Sequence, residues 1–511
     1  MKKIHSIIYG LRKKIHLYHF IAIYIAWLLF IRFILIFSFS IDLEGMEFVF
    51  IHNCQLIYQK ISLYRNPDIF PFYAVMYNPL YFDILLNFTK FFKLNPIYEV
   101  HKLLIPARTL NLFLMYYSLR TLYKLMIEFR LSKNYIYILL VCFLLLFTGH
   151  FYATRPDGLK ITFFIIQLYC IINYFYFHIQ KKKYLIAIII LNLLSFLLKQ
   201  DAAFYSGIVL LVLFISQRTI KSFLLGAVSF IIILTGYISC ITKYGDYFFK
   251  NTFLYNFQNV TDLEQSYNLD MIYGSVARLI MPLIICIYSF WYFRKEIKVN
   301  SIEFFLGVIL IPFFIAAHMF MLKGGAFLNY SYELIVVLIL LSAKYLSKYV
   351  LTSTVNKRLL FAFSFYIFLL ISSNNASNNY TLKKEHDNDY KSIYNENYAA
   401  AFELKKIIKD DTVSLPSGSP VVYFSDCKHI FYGYEAHIDR LVNLLYKQKE
   451  VSVLLFASQK KVDECYTNGT VKYIVVENDE WSDIHIKKFY PDYSVYKTAG
   501  HFNLYKFNGS K

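Results

Sequence analysis

The sequence lacks several features that would assign it to familiar classes of protein. None of its seven cysteines is spaced from another as in a metal-binding C-x-x-C motif, and no internal repeat of the transporter kind is present. Residues 1–16, which include five Lys and Arg residues, precede an apolar run at about 17–39. This run is too long for a signal-peptide core and lacks a small-residue cleavage site. We therefore predict an uncleaved first helix there.

Apolar residues are what the sequence has in excess. Of its 511 residues, 57% are hydrophobic, and the mean hydropathy is +0.43, whereas soluble domains are roughly 45–50% apolar. The excess falls in blocks of roughly 15–22 residues, the length that spans a bilayer. This pattern predicts a polytopic α-helical membrane protein. The net charge of +19 is then typical of cytoplasmic loops and does not indicate nucleic-acid binding.

The apolar runs predict about eleven transmembrane helices. With the N-terminus inside, the inside segments hold 20 basic residues and the short outside loops hold 6. This asymmetry predicts a multi-pass protein of the plasma membrane or bacterial inner membrane, with a cytoplasmic N-terminus. The predicted spans are 17–39, 103–123, 134–152, 161–178, 184–198, 203–216, 222–242, 272–292, 302–321, 328–347 and 358–373.

The odd number of spans places the C-terminal residues 374–511 outside. Within them, residues 395–409 have helical spacing, and the apolar runs 420–424 and 471–476 have strand propensity. We therefore predict a transmembrane domain at 1–373, followed by a small extracytoplasmic α/β domain.

The first outside loop, residues 40–102, begins with three carboxylates: Asp42, Glu44 and Glu47. Carboxylates at a membrane boundary are costly and usually functional. Two structural alternatives stay open, a helix cap for Asp42 and solvated loop surface for Glu44. Further along the loop, residues 81–92 are apolar but too short to span, which predicts a helix lying along the membrane.

Cations are scarce in the other predicted outside loops, so Arg155, Lys199 and Lys323 are of interest. Their chemistry suits an anion such as a phosphate. Each has a structural alternative. Arg155 and Asp157 make a plausible turn pair, Lys199 a snorkelling side chain, and Gly324-Gly325 a plain turn.

These residue types fit one reaction. A membrane enzyme that works outside the cytoplasm has no nucleotide sugar, but it can use a sugar carried on polyprenyl phosphate. Transfer then needs a carboxylate base to deprotonate the acceptor hydroxyl, cations to bind the leaving phosphate, and an apolar groove for the isoprenoid. The first loop supplies carboxylates, and the outside cations supply phosphate ligands.

Several short segments occur in a characteristic order. This order resembles the GT-C class of glycosyltransferases that use lipid-linked sugars, especially the bacterial relatives of protein mannosyltransferases and the aminoarabinose transferase of lipid A. The segments that carry the resemblance are Glu47, Ser62-Leu63-Tyr64, Tyr77-Asn78-Pro79-Leu80-Tyr81, Arg108, Arg155-Pro156-Asp157, and Gly325 to Tyr330 followed by Glu333.

The resemblance implies an integral membrane glycosyltransferase with a first-loop carboxylate as general base. The spacing between the carboxylate and Tyr64 favours Glu47 as this base, then Asp42, and Glu44 is the third candidate. The acidic dyad of the class is spread over these three positions, and Ser62 replaces an expected glycine. The implied ligands of the donor phosphate are Arg155, Lys199, Lys323 and Arg108, and the implied supporting residues are Asp157, Tyr77, Tyr81, Asn329 and Tyr330.

The expected partners are a sugar linked to polyprenyl phosphate, membrane lipid, and an extracytoplasmic acceptor that is a glycan, a lipid or a protein. No cofactor is expected, although Asp42 and Glu44 leave a divalent cation open, as in oligosaccharyltransferases of the same class. Two alternatives remain: a transporter or flippase of lipid-linked glycans, with charges near the midplane and paired halves, and an O-antigen polymerase or ligase, with its arginines in a large late loop.

Overall fold

Helices make up most of the computed structural model of the chain. It describes residues 17–40, 43, 47–66, 69, 72–73, 75, 77–147, 153–179, 181–254, 266–321, 328–349, 366, 389–415, 422–429, 431–432, 459–478, 483–484, 486–487 and 490–509. The helices up to residue 349 are α1 (Leu17–Ile36), α2 (Glu47–Tyr58), α3 (Leu80–Phe91), α4 (Val100–Glu128), α5 (Lys133–Leu146), α6 (Asp157–Ile171), α7 (Lys182–Leu198), α8 (Gln200–Gln217), α9 (Ile220–Tyr244), α10 (Asp246–Phe249), α11 (Ser266–Phe293), α12 (Ile302–Met321) and α13 (Tyr332–Tyr349).

Ten of the predicted spans coincide with helices of this bundle, and the last, 358–373, lies outside the described residues apart from Tyr366. A π-helical turn continues α6 to Tyr176. Five helices are long and apolar enough to cross a membrane, namely α1, α6, α8, α9 and α12, and α5 and part of α11 are shorter apolar helices. The membrane class is therefore supported, whereas the count of eleven is not confirmed.

The apolar helices differ in how much of their surface is covered. In the most apolar stretch of each helix, only 28% of the residues of α1 and 17% of those of α9 are buried, against 83% for α6. Side chains such as Phe20, Trp27 and Phe230 are more than half exposed. Large apolar side chains on the outside of a bundle fit contact with lipid. Helix α6 is thus central, and α1 and α9 lie at the periphery.

The first loop is more structured than its sequence indicated. Besides α3, which matches the predicted helix at 81–92, it contains α2, which the sequence reading missed. Ten of the twelve residues of α2 are buried. This helix has apolar and polar side chains on all sides because other elements cover it all round.

One of those elements is the C-terminal segment, defined as residues 389–509. Helix α14 (Tyr390–Ile408) agrees with the prediction at 395–409. The remaining elements are β1 (Phe72–Tyr73), β2 (Thr412–Ser414), β3 (Lys428–His429), β4 (Phe431–Tyr432), α15 (Gln459–Thr467), β5 (Tyr473–Glu477), β6 (Tyr493–Ala499) and β7 (Phe502–Phe507). Five of the strands form a sheet with the order β3-β2-β5-β7-β6, in which β2 is parallel to β3 and β5 while β7 is antiparallel to both of its neighbours.

The described part of the predicted strand 420–424 is not a strand. Val422, Tyr423 and Phe424 are buried but lie in a turn, and residues 420 and 421 lie outside the described residues. The carbonyl of Val422 accepts a hydrogen bond from Gln55 Nε2 of α2 at 2.9 Å, and Phe424 packs edge-on against Phe502. The apolar run therefore fills the contact between α2 and the sheet, while β5 matches the other predicted strand.

Polar contacts fix the C-terminal segment on the first loop. Gln59 Nε2 donates to the carbonyl of Ser425 at 3.0 Å, and the short strands β1 and β4 pair in parallel. The backbone N–H of His101 donates to the Tyr394 hydroxyl at 3.1 Å. Backbone groups that would otherwise be buried without partners are satisfied across this contact.

Two histidines meet in the same contact. The rings of His52 in α2 and His429 in β3 lie 5.8 Å apart between centroids, and each residue is 1% exposed. Burial, together with the neighbouring His429, lowers the pKa of His52 to about 3. Burial, with a contribution from Lys405, lowers the pKa of His429 to about 4. Both imidazoles are therefore neutral at pH 7.

We expect acid to weaken this contact. Unfolded histidines protonate near pH 6.5, whereas the folded pair resists protonation down to about pH 4 and then 3. The stability that the pair contributes is present above pH 6.5 and is lost progressively as the pH falls below it, by on the order of 2 kcal/mol per histidine at pH 5. The melting temperature of the purified protein should therefore fall more steeply between pH 7.5 and 5 than that of His52→Gln/His429→Gln.

The exposed His501→Gln is the matched control and should keep the wild-type slope. Equal slopes for wild type and the double variant would contradict the role of the pair.

Candidate active site

The first polar feature of the site is a fully buried ion pair between α2 and α4. Glu47, the first residue of α2, receives Arg108 Nη2 at 2.7 Å on Oε2 and Arg108 Nε at 3.1 Å on Oε1. Neither side chain is exposed. The backbone N–H of Leu43 donates to Oε2 at 2.9 Å, and that of Thr154 donates to Oε1. Each carboxylate oxygen therefore accepts two hydrogen bonds.

Arg108 also holds the end of the first transmembrane helix. Its Nη1 donates to the carbonyl of Ser38 at 2.8 Å, and its Nη2 donates to that of Ser40 at 2.6 Å. We call the five residues Glu47, Arg108, Ser38, Ser40 and Thr154 the first-loop clamp. A bidentate guanidinium–carboxylate pair fixes orientation as well as position, so the clamp ties α1, α2, α4 and the start of α6 together at one point.

The protonation behaviour of Glu47 differs from the expectation for a base. Burial raises the pKa of this carboxyl, but the Arg108 guanidinium and the N–H donors of Leu43 and Thr154 outweigh burial, so its pKa lies below the ordinary value. Desolvation alone would have raised the pKa. The sequence could not reveal that the Arg108 guanidinium lies beside Glu47 and turns a raised pKa into a lowered one.

A second group of charges surrounds the start of α6. Pro156 precedes the helix, and Asp157 lies in its first turn, where a carboxylate is favoured by the helix dipole. Asp157 Oδ2 accepts from Arg155 Nε at 3.2 Å and Oδ1 accepts from Lys199 Nζ at 3.1 Å. Lys199 is 5% exposed, so it is buried rather than snorkelling, and its ammonium lies 4.7 Å from the ring centre of Tyr330.

Lys160 was missed as a site residue. The sequence predicted it to lie in the outside loop between the spans 134–152 and 161–178, but α6 begins at Asp157 and includes it. Its ammonium contacts Asp201 Oδ2 at 2.8 Å and Glu333 Oε1 at 2.9 Å. The i, i+3 spacing of Asp157 and Lys160 was a usable signal, because such residues share a helix face.

The ionic groups around α6 balance in charge. Six buried residues contribute three cations and three carboxylates: Arg155, Lys160, Lys199, Asp157, Asp201 and Glu333. Buried charges are tolerated only when paired and hydrogen-bonded. A phosphate that binds to Arg155 and Lys199 must therefore compete with Asp157, the carboxylate they share.

The first-loop clamp and the charges around α6 belong to one site. Asn111 Nδ2 of α4 donates to the carbonyl of Arg155 at 3.2 Å, next to the Thr154 amide that holds Glu47. Tyr81, at the start of α3, is 2% exposed. Burial, and then the nearby carboxylates of Glu47 and Asp157, raises the pKa of Tyr81 well above the ordinary value. Tyr81 is therefore close to both groups of charges.

Of the other predicted site residues, Tyr330 lies beside Lys199, and its carbonyl accepts from the Tyr205 hydroxyl at 2.9 Å. The Tyr77 carbonyl accepts from the Tyr64 hydroxyl at 2.7 Å. Asn329 lies in the 3₁₀ turn before α13. Asp42, Glu44 and Lys323 lie outside the described residues, as does Gly324-Gly325. The described residues include no group of three or more His, Cys, Asp or Glu side chains that could hold a metal ion.

We expect the first-loop clamp to be essential for stability. Arg108→Met would leave the Glu47 carboxylate buried without its guanidinium, and breaking a buried pair in this way costs about 3–5 kcal/mol. The double variant Glu47→Gln/Arg108→Met should recover part of the loss, because no unpaired charge remains. Thermal unfolding of the purified protein measures both. Lys102→Ala, which removes the exposed Lys102–Glu99 pair at the start of the same helix, should change the free energy of unfolding by about 1 kcal/mol or less. An equal loss of stability in Arg108→Met and Lys102→Ala would contradict the expectation.

Comparisons with known proteins identify solved structures with a similar fold. No protein-family model matches the sequence, and no curated protein is similar to it. ArnT from Cupriavidus metallidurans bound to undecaprenyl phosphate is similar with a TM-score of 0.57 and 10% identity, over 97% of this chain and 99% of that one. The apo form of the same protein is similar with a TM-score of 0.54 and 10% identity, over 95% of this chain and 97% of that one.

The archaeal oligosaccharyltransferase AglB from Archaeoglobus fulgidus, in complex with an inhibitory peptide and a dolichol-phosphate, gives a TM-score of 0.51 and 12% identity, over 89% of this chain and 69% of that one. At such low identity the likeness concerns the fold. The chain therefore shares the fold of these GT-C membrane glycosyltransferases, as the order of its sequence motifs predicted.

Proposed function

We propose that this protein transfers a sugar from a polyprenyl-phosphate donor to an extracytoplasmic acceptor. The observation that carries the proposal is the meeting of first-loop, α6 and α7–α8 charges in one buried site. A structural neighbour with this fold binds undecaprenyl phosphate in its crystal structure. Arg155 and Lys199, held on one carboxylate, supply two cations for the phosphate of the donor.

The reaction follows from these groups. A carboxylate takes the proton of the acceptor hydroxyl as its oxygen attacks the anomeric carbon. The bond between that carbon and the phosphate oxygen breaks, and its electron pair leaves with the polyprenyl phosphate. Arg155 and Lys199 stabilise the charge that develops on the leaving phosphate. Asp157 orients both cations before the phosphate arrives.

Of the three first-loop carboxylates, we assign the role of base to Asp42. The contacts of Glu47 argue against that role, because a carboxylate that accepts four hydrogen bonds, two of them from a guanidinium, has a low proton affinity. Glu47 holds the backbone of Leu43 at 2.9 Å, between Asp42 and Glu44 in the sequence. Glu47 and Arg108 are therefore positioning residues for the first loop.

The same geometry favours a transferase over a transporter. A transporter is expected to carry its charges near the bilayer midplane, at broken helices. Here Lys160, Asp201 and Glu333 all lie within the first four residues of their helices, so the charges gather at the ends of helices. From the basic-residue asymmetry of the sequence, this end of the bundle and the C-terminal segment face outside.

The three acidic positions are separable by kinetics. We expect Asp42→Asn to lower the turnover number by about 10²–10⁴-fold, the usual contribution of a general base, and to remove the acidic limb of the pH–rate profile. Glu47→Gln should lower turnover and melting temperature together but keep that limb. Glu44→Gln is the matched control and should stay near wild type. Retention of the acidic limb by Asp42→Asn and its loss in Glu47→Gln would return the base role to Glu47.

Binding of a polyprenyl phosphate tests the cation pair. Arg155→Ala or Lys199→Ala each removes a charged hydrogen bond worth about 1.5–3 kcal/mol, so affinity for undecaprenyl phosphate should fall roughly 10- to 150-fold. Asp157→Asn keeps the shape of the site and should have a milder effect. Native mass spectrometry of the purified protein provides the readout, with Lys102→Ala as a control for loss of an exposed cation. Unchanged binding by both alanine variants would exclude the assignment.

A further inference from the structure

A half-open cavity lies far from the candidate active site, between α4, α6 and α7. Its volume is about 320 Å³, near the lower end of the roughly 300–1,000 Å³ usual for ligand sites. Lys124 of α4 and Lys183 of α7 line it, with the aromatic rings of Tyr117, Tyr169 and Tyr184. Nothing in the transfer reaction uses these residues.

The distance between the cavity and the candidate active site follows from residue positions along α4 and α7. Arg108 and Lys124 are sixteen residues apart on α4, and Lys183 lies sixteen residues before Lys199 across α7. At 1.5 Å per residue each interval is about 24 Å, close to the roughly 30 Å thickness of the hydrocarbon core. Since α4 and α7 coincide with the predicted spans 103–123 and 184–198, the cavity is expected at the opposite membrane boundary from the candidate active site.

The polar groups of the cavity suit an anion. Neither Lys124 nor Lys183 forms an ion pair with a residue that the structure describes, and Lys183 lies 5.8 Å from the ring centre of Tyr184. Glu128, one turn after Lys124, accepts a hydrogen bond from Asn173 at 3.2 Å. Two ammonium groups against one engaged carboxylate leave the cavity with a positive balance.

The surface next to the cavity is apolar and exposed. Phe113 and Tyr116 of α4 and Ile186 and Ile190 of α7 are each at least half exposed. Within the cavity, Ile166 of α6 contributes to its wall. A ligand held by the two lysines would therefore have apolar helix surface beside it, in the region where acyl chains lie.

We propose that this cavity binds the phosphate headgroup of an anionic phospholipid from the leaflet opposite the candidate active site. Lys124 and Lys183 hold the phosphate, the tyrosine hydroxyls lie at the level of the headgroup, and the exposed apolar faces of α4 and α7 contact the acyl chains. Basic pockets between transmembrane helices are a recognised way to bind such headgroups. Bound lipid would tie α4 to α7, two helices whose other ends carry Arg108 and, next to α7, Lys199.

Native mass spectrometry of the full-length protein in detergent tests the proposal. The probes are palmitoyl-oleoyl phosphatidylglycerol and, as the uncharged lipid with the same acyl chains but no phosphate, palmitoyl-oleoyl glycerol. Wild type should bind the anionic lipid about tenfold or more tightly than the neutral one, the worth of a charged hydrogen bond. Lys124→Gln/Lys183→Gln should lose this preference. Lys181→Gln/Lys182→Gln removes the same charge from exposed lysines outside the cavity and should keep it.

A third variant guards against misfolding of the double lysine variant. Ala187→Phe fills the cavity but keeps both lysines, so it should also lose the preference. Equal lipid preference in wild type and in both cavity variants would overturn the proposal, as would loss in the Lys181/Lys182 control. Inorganic phosphate should not displace the lipid; displacement at millimolar concentration would assign the cavity to a soluble phosphate instead. None of these readouts depends on sugar transfer.

Discussion

The buried pair of Glu47 and Arg108 is the contact on which the rest of the site depends. It satisfies a carboxylate, a guanidinium and several backbone groups at a place with no access to water. Either charge alone would be strongly unfavourable there, so the two positions are tied to each other. Because the pair joins α1, α2, α4 and the start of α6, it sets where Leu43 and Glu47 of the first loop lie relative to the start of α6.

The charges around α6 have a different character. Three cations and three carboxylates share contacts, and two of the cations bind a single carboxylate, Asp157. Such a network holds Arg155 and Lys199 in place without a ligand and lowers the reorganisation needed when an anion arrives. It also sets a requirement, since only a ligand with enough negative charge can draw the two cations from Asp157. The phosphate of the proposed donor carries such a charge, whereas a neutral sugar does not.

The C-terminal segment is part of the same construction. Its sheet covers α2, the helix that begins with Glu47, and its turn at Val422 accepts a hydrogen bond from Gln55 on that helix. The neutral histidines His52 and His429 lie in the same contact. Through α2, the packing of the sheet and the position of the clamp are connected, which explains why a largely buried helix lies where the sequence suggested a loop.

Local patterns in the sequence determined the membrane class, the positions of ten helices, α14, β5 and the order of motifs that resembles the GT-C fold. These follow from hydropathy, helical spacing and strand propensity, which act over short stretches of chain. Only the tertiary structure decided that Arg108 pairs with Glu47, that Lys160 joins Asp201 and Glu333, and that Val422 lies in a turn. Each depends on residues far apart in sequence, and the sign of a pKa shift or the partner of a buried charge is set by the group that folding brings beside it.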